Sequence, residues 1–266
     1  MKSLFIALFV ALLFFISFFT QSLFAQQPSG IDIMKENDKQ FNFKTEESTM
    51  TMELINSSGK KRVRSVKRYS KRDANKNTSA LIRFLSPADV KGSAYLSIEH
   101  SANDESRHLY LPALKKARRI SAGEDSDNFM GSDFTYEDLD NIDFDKYSFK
   151  LLGSESFNGI DCHKVEVTPI GENEKTSGYS KRIYFIDKKI YVIHKIDFYD
   201  RHNSLFKHLI LTDFKLVSSP GIYRAYNWTM ENLKTKHKTT LTYQNFKVNE
   251  DIDESLFSTR SLERSN

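Results

Sequence analysis

Cys162 and His163 are neighbours, and a thiol beside an imidazole is the raw material of a cysteine nucleophile. Both fall within Ile160 to Val167, whose pattern predicts a β-strand. Adjacent side chains on a strand point to opposite faces, so the pair is poorly placed for nucleophilic catalysis. His202 and His208 flank a predicted hairpin turn and could converge on a metal, yet no carboxylate or third histidine completes a ligand set. The run Asp125-Ser126-Asp127-Asn128-Phe129-Met130-Gly131 hints at a calcium loop. It fails in detail: Phe129 stands at the fifth position, the glycine comes one residue late, and Tyr136 replaces the bidentate glutamate at the twelfth. It reads as a solvated acidic loop. There is no G-x-S-x-G elbow, no H-E-x-x-H helix and no glycine-rich phosphate loop. No catalytic residue, metal ligand or cofactor is expected, and an enzyme is the weakest of the functional readings.

Charge offers a second kind of chemistry. Lys60-Lys61-Arg62-Val63-Arg64-Ser65-Val66-Lys67-Arg68-Tyr69-Ser70-Lys71-Arg72 puts eight positive residues on one predicted hairpin, and Lys115, Lys116, Arg118 and Arg119 form another cluster. One reading is a solvated edge strand whose charges prevent edge-to-edge pairing. A sharper one is docking, through Arg62, Arg64, Lys67 and Arg68, to anionic lipid headgroups or to a membrane transporter or signalling partner. A third is pairing with the acidic loop of the same molecule. The 39 basic residues include Lys2, so a chain without its leader carries 38 against 35 acidic ones. That balance is too weak to imply a nucleic-acid partner.

These groups must be positioned by a scaffold that the hydrophobic pattern describes. Lys2, the apolar run Leu4 to Phe19, the polar Thr20-Gln21-Ser22 and then Ala25 read as a cleavable secretory signal over residues 1–25, which implies export from the cytoplasm. The run falls short of the roughly 20 apolar residues that span a bilayer. Residues 26–266 are expected to form one domain and a monomer, and the single Cys162 permits no internal disulfide. Ser29 to Phe41 reads as a short helix capped by Ser29. From Ser48 period-two alternation dominates: Met50, Met52 and Leu54 alternate with Thr49, Thr51 and Glu53. Further strand-like runs follow to Lys247, with Asn158-Gly159 as the strongest hairpin turn. Some eleven strands with short polar connections predict a mainly β fold, an antiparallel sheet that is closed or strongly curved. The one long interruption, Ser121 to Asp145, is acidic and carries Phe129 and Met130 with no strand to pair them.

Three segments then carry a family likeness. Phe84-Leu85-Ser86-Pro87-Ala88-Asp89-Val90-Lys91-Gly92-Ser93-Ala94-Tyr95-Leu96, His108 to Ile120 (HLYLPALKKARRI) and Asn128 to Leu139 (NFMGSDFTYEDL) resemble, in order and spacing, the LolA-like family of outer-membrane lipoprotein-sorting proteins. Tyr179-Ser180-Lys181, Asp197-Phe198-Tyr199-Asp200 and the closing Leu256 to Leu262 extend the match over nearly all of the chain after the leader. The resemblance implies an unclosed half-barrel of about eleven antiparallel strands, a few helices over its open side, and a hydrophobic cavity between. It also implies a periplasmic carrier of lipoprotein acyl chains or lipid, with an arginine organising the lid, for which Arg83 is the position considered. Under that reading Met50, Met52, Leu54, Phe84, Leu96, Leu111, Phe129, Met130 and Trp228 are the candidates for the cavity wall. An acyl chain needs a large apolar concavity and no catalytic group.

Overall fold

The computed structural model describes residues 27–101 and 104–263; the leader read from residues 1–25 lies outside the described residues. Six strands come first: β1 (Thr45–Ile55), β2 (Lys61–Arg72), β3 (Thr78–Ser86), β4 (Ala94–Ser101), β5 (Asp104–Leu111) and β6 (Lys116–Ile120). Seven more follow: β7 (Tyr147–Phe157), β8 (Ile160–Pro169), β9 (Tyr179–Asp187), β10 (Ile193–Asp200), β11 (Leu205–Ser218), β12 (Ile222–Asn232) and β13 (Lys238–Val248). The count is thirteen rather than the eleven expected, and Lys116–Ile120, which sequence shows only as a basic cluster, is one of the additions.

All thirteen form one antiparallel sheet in the order β6-β5-β4-β3-β2-β1-β13-β12-β11-β10-β9-β8-β7. Each strand pairs with its sequence neighbour except where β1 meets β13 and where β6 fails to meet β7. A sheet this wide cannot stay flat, because the twist of each strand accumulates. The two unpaired edges, β6 and β7, are consecutive in the chain, so residues 121–146 have to travel from one edge to the other. Main-chain pairing does not close the gap. This crossing segment fills it with side chains instead, since Phe129, Phe134 and Tyr136 join the same buried cluster as Met50, Phe84, Leu209 and Met230 of the concave face.

Strand parity sorts the remaining apolar residues. In β1 every second residue, including Met50, Met52 and Leu54, is buried, as the alternation predicts. The convex face carries two smaller clusters: Leu81, Ala94 and Leu96 under Phe257 and Leu262 near the C-terminus, and Cys162 with Ile183 and Phe185.

The expected N-terminal helix is α1 (Gly30–Asp38), capped by Ser29, whose hydroxyl accepts from Asp32 N at 3.3 Å while the Asp32 carboxylate accepts from Ser29 N at 3.2 Å. Its buried Ile33 and Met34 face the sheet beside edge strand β7. Gly30 is needed there by close approach: a Cβ would lie 2.9 Å from Leu151 N and from the Phe149 carbonyl. The helix thus covers one flank of the concavity and the crossing segment covers the rest.

Candidate functional site

Between the concave face and its cover lies a cavity of about 280 Å³. Met50, Met52, Leu211, Ala225, Trp228 and Leu241 contribute to its wall. The lining is mostly apolar, with charged groups at its two ends: Glu46, Arg68 and Arg224 toward α1, and Glu137, Asp138, Asp140 and Arg182 under the crossing segment.

The crossing segment is held by four cations from four strands. Arg64 of β2 donates from Nη1 to the Met130 carbonyl at 2.7 Å and lies over the Phe84 ring. Arg107 of β5 meets Asp125 at 2.9 Å and Asp140 at 3.3 Å. Arg182 of β9 pairs with Glu137, which also accepts from Ser177 Oγ at 2.6 Å and Gly178 N at 3.0 Å. Lys207 of β11, 1% exposed, donates to Asp138 at 2.7 Å and to the Asp133 carbonyl at 3.1 Å. Apolar contact completes the attachment: Phe129 is 1% exposed, its ring 5.4 Å from Tyr95, 5.7 Å from Tyr136 and 6.0 Å from Phe84. A segment fixed by side chains and not by a strand ladder can detach without unpicking the sheet.

Two aspartates two residues apart respond oppositely to this setting. For Asp138 burial favours the neutral acid, but Lys207 and Arg182 outweigh it and hold the carboxyl below its ordinary range. Asp140 is pushed well above that range, by burial first and then by Glu105, Asp125 and Glu137, with Arg107 opposing. Its Oδ1 has no hydrogen-bond partner among the described residues. The folded chain therefore keeps the Asp140 proton at pH values where the unfolded chain has lost it. Stability from this group is full below the ordinary aspartate pKa and declines as pH rises toward the elevated one. Asp140→Asn should raise the melting temperature at pH 8 more than at pH 4, measured by thermal unfolding; a variant destabilised equally at both would show that Asp140 is a plain ion-pair partner of Arg107.

The predicted site residues separate under the structure. Met50, Met52, Phe129 and Trp228 line the cavity. Phe84 lies one layer behind, against Phe129, while Leu111 and Met130 pack at the margin of the same cluster. Leu54, at the far end of β1, borders a separate surface cleft of about 390 Å³ with Lys60, Arg62, Asp133 and His237. Leu96 is a correction: β4 turns Tyr95 toward the concavity and Leu96 toward the convex face, under Leu262. Period-two alternation says that two faces exist but does not say which is inside.

The docking set is corrected for the same reason. Arg64 is buried and spent on the crossing segment, Arg68 donates to Glu46 at 2.9 Å beside the cavity, and both share the inward parity of Val66. Lys67 points the other way, paired with Glu47 at 3.0 Å, which leaves Arg62 as the exposed member. The acidic loop is corrected too: Asp125, Glu137, Asp138 and Asp140 are not simply solvated but meet Arg107, Arg182 and Lys207 of the sheet. Arg83 bonds the Ser261 carbonyl, on the side of the sheet that carries Leu81 and Leu262. Arg107, Arg182 and Lys207 were missed. Each shares strand parity with buried apolar residues, Leu109, Tyr184 and Leu209, and a cation at such a position demands an internal anion.

A family model described only as an uncharacterized protein matches residues 76–264. No curated protein matches the chain. Among solved structures, the chain is similar to a domain provisionally assigned to outer-membrane lipoprotein sorting, from Vibrio parahaemolyticus, at 33% identity, covering 88% of this chain and 98% of that one with a TM-score of 0.82. It is similar to a DUF1329 family protein from Desulfovibrio piger at 29% identity, covering 88% and 97% with a TM-score of 0.81. A LolA superfamily protein from Nitrosomonas europaea shares the fold at 19% identity, covering 87% and 98% with a TM-score of 0.67.

Proposed function

The chain belongs to the LolA-like family of outer-membrane lipoprotein-sorting proteins, and from that footing we propose that it is an exported, non-enzymatic carrier that shields acyl chains of lipid or lipoprotein on their way toward the outer membrane. The observation that supports this reading best is the apolar cavity under a cover that no strand ladder ties to the sheet. Each acyl methylene withdrawn from water contributes roughly 0.8 kcal/mol, so a concave wall of Met, Leu and aromatic residues suffices to hold a chain. Release then requires the cover to lift. Nothing in the reading calls for a nucleophile, and Cys162 fits that: it is buried on the convex side, its thiol pushed up to about 11 by burial and by Asp187.

Trp228, the single tryptophan, lines the cavity and reports on its filling. A fluorescent fatty acid added to the purified protein should quench Trp228 by energy transfer, and protein recovered from a periplasmic fraction should begin at Gln26 and carry extractable lipid. Ala225→Phe narrows the cavity at an overpacking cost of about 1–3 kcal/mol and should weaken uptake by roughly tenfold. Lipid-free protein whose Trp228 emission ignores the fatty acid would sink the carrier reading.

A further inference from the structure

One end of the cavity is built unlike the rest. Arg68 of β2 and Arg224 of β12 converge on a single carboxylate, Glu46 of β1: Arg68 Nη1 donates at 2.9 Å and Arg224 Nε at 2.6 Å. Arg224 also donates from Nη1 to the carbonyls of Gln40 and Tyr223, at 2.9 Å and 2.8 Å, and its guanidinium lies over the rings of Phe41 and Phe43. Its Nη2 is buried and has no acceptor among the described residues. A buried donor left unmade costs free energy that a suitable acceptor would return. Neighbouring polar groups are already engaged: Asp38 by Arg72, Asn37 by the Tyr191 carbonyl, and Gln40 by Ile190 and Tyr223. Two guanidiniums against one carboxylate leave this end one positive charge in excess. Under the crossing segment the lining acids Glu137 and Asp138 are each met by a cation, Arg182 and Lys207, so the lining there carries no excess positive charge. The cavity is polarised along its length.

We propose that Arg68 and Arg224 form the seat for an anionic group, carboxylate or phosphate, at the head of an acyl chain lying in the cavity. The inference rests on the carrier reading and narrows its cargo. At about 280 Å³ the cavity lies at the lower edge of small-molecule pockets, roughly 300–1,000 Å³, which suits one chain with one headgroup. The anion would supply the acceptor that Nη2 lacks and share the charge that Glu46 leaves uncompensated. Tyr243, in the same wall and close enough to feel the charges of Arg68 and Arg224, offers a phenol beside the pair.

The test compares ligands with one tail and different heads, dodecanoate, dodecyl phosphate and dodecan-1-ol, titrated against Trp228 fluorescence at pH 8. At least one anion should bind about tenfold tighter than the alcohol, and the tighter of the two identifies the headgroup chemistry. Arg224→Met should erase that preference and leave alcohol binding within about twofold. Arg68→Met, at the more exposed position, should reduce it even if Arg224→Met folds poorly. Glu46→Gln frees both guanidiniums and should tighten anion binding several-fold, a gain that damage to the fold does not mimic. Equal binding of alcohol and anions to the unaltered protein overturns the headgroup seat alone. Binding of none of the three overturns the carrier reading and the seat with it.

Discussion

Phe129→Ala should lower the unfolding free energy by about 3–5 kcal/mol, the range for deleting a fully buried aromatic ring. The ring is enclosed by Phe84 and Tyr95 from the sheet and by Tyr136 from its own segment, so a cavity remains where it sat. At roughly 2–4 °C per kcal/mol for a chain of this size, the melting temperature should fall by about 10 °C. The functional consequence differs in kind. Phe129 is the largest apolar plug that ties the crossing segment to β3 and β4, and losing it weakens the cover selectively, because the strand ladder is untouched. Fatty-acid entry measured by stopped-flow Trp228 fluorescence should accelerate severalfold while the final quench stays similar. Stability within about 1 kcal/mol of the unaltered protein, with unchanged entry, would show that the ring is no anchor.

The second large effect is electrostatic. Arg182 and Glu137 have side chains 8% exposed, and removing one member of a buried pair strands the other's charge, at a cost of about 3–5 kcal/mol. Arg182→Met should therefore be severe even though the methionine fills much of the volume. Ser177 Oγ and Gly178 N would still solvate the Glu137 carboxylate, which places the expectation toward the lower end. The double variant Arg182→Met with Glu137→Gln leaves no net buried charge and should recover much of the loss. A denaturation cycle over the four proteins reads the coupling directly. Strictly additive single effects would mean that the two groups meet in the structure without depending on each other.

Both predictions bear on one design. Arg64, Arg107, Arg182 and Lys207 come from four different strands, and each gives its charge to the crossing segment. Pairs of this kind contribute little net stability, since desolvation offsets most of the Coulomb attraction, but they define one seat for the cover and penalise any other. A cover seated by aromatic packing alone would slide. One seated by charges with little apolar contact would be loose in salt.

Much of the architecture was legible in the chain itself, because alternation at period two is a direct record of which backbone groups will pair and which side chains will share a face. β1 and the helix capped by Ser29 follow their patterns closely, and the acidic stretch after Ile120 is where the strands stop. The cavity was legible only in part. Met50 and Met52 lie on the wall, but Leu96 has the same local pattern and faces the other way, for parity is symmetric until a neighbour breaks it. What broke it in β4 was the packing of Phe129 on Tyr95 and of Leu262 on the opposite face, contacts between residues far apart in the chain.

The residues that opened the sequence reading show the same division. That Cys162 and His163 would point apart was decided by strand geometry, a local property, and the chain alone determined it. Composition and alternation likewise determined a mainly β chain with a helix before it and an acidic interruption within it. The fate of the charges belonged to the tertiary structure. Arg64 and Arg68 looked like a surface for a partner and became parts of the interior, because the accumulated twist of the thirteen strands curves the sheet and puts one face of β2 on its inner side. Charge is visible residue by residue, whereas the acceptor that answers it lies on another element, 22 residues away for Arg68 and Glu46 and 178 for Arg224 and Glu46. Only the folded sheet brings the two within reach, and only there does the basic run supply a clamp on the cover, Arg64, and one half of the proposed anion seat, Arg68.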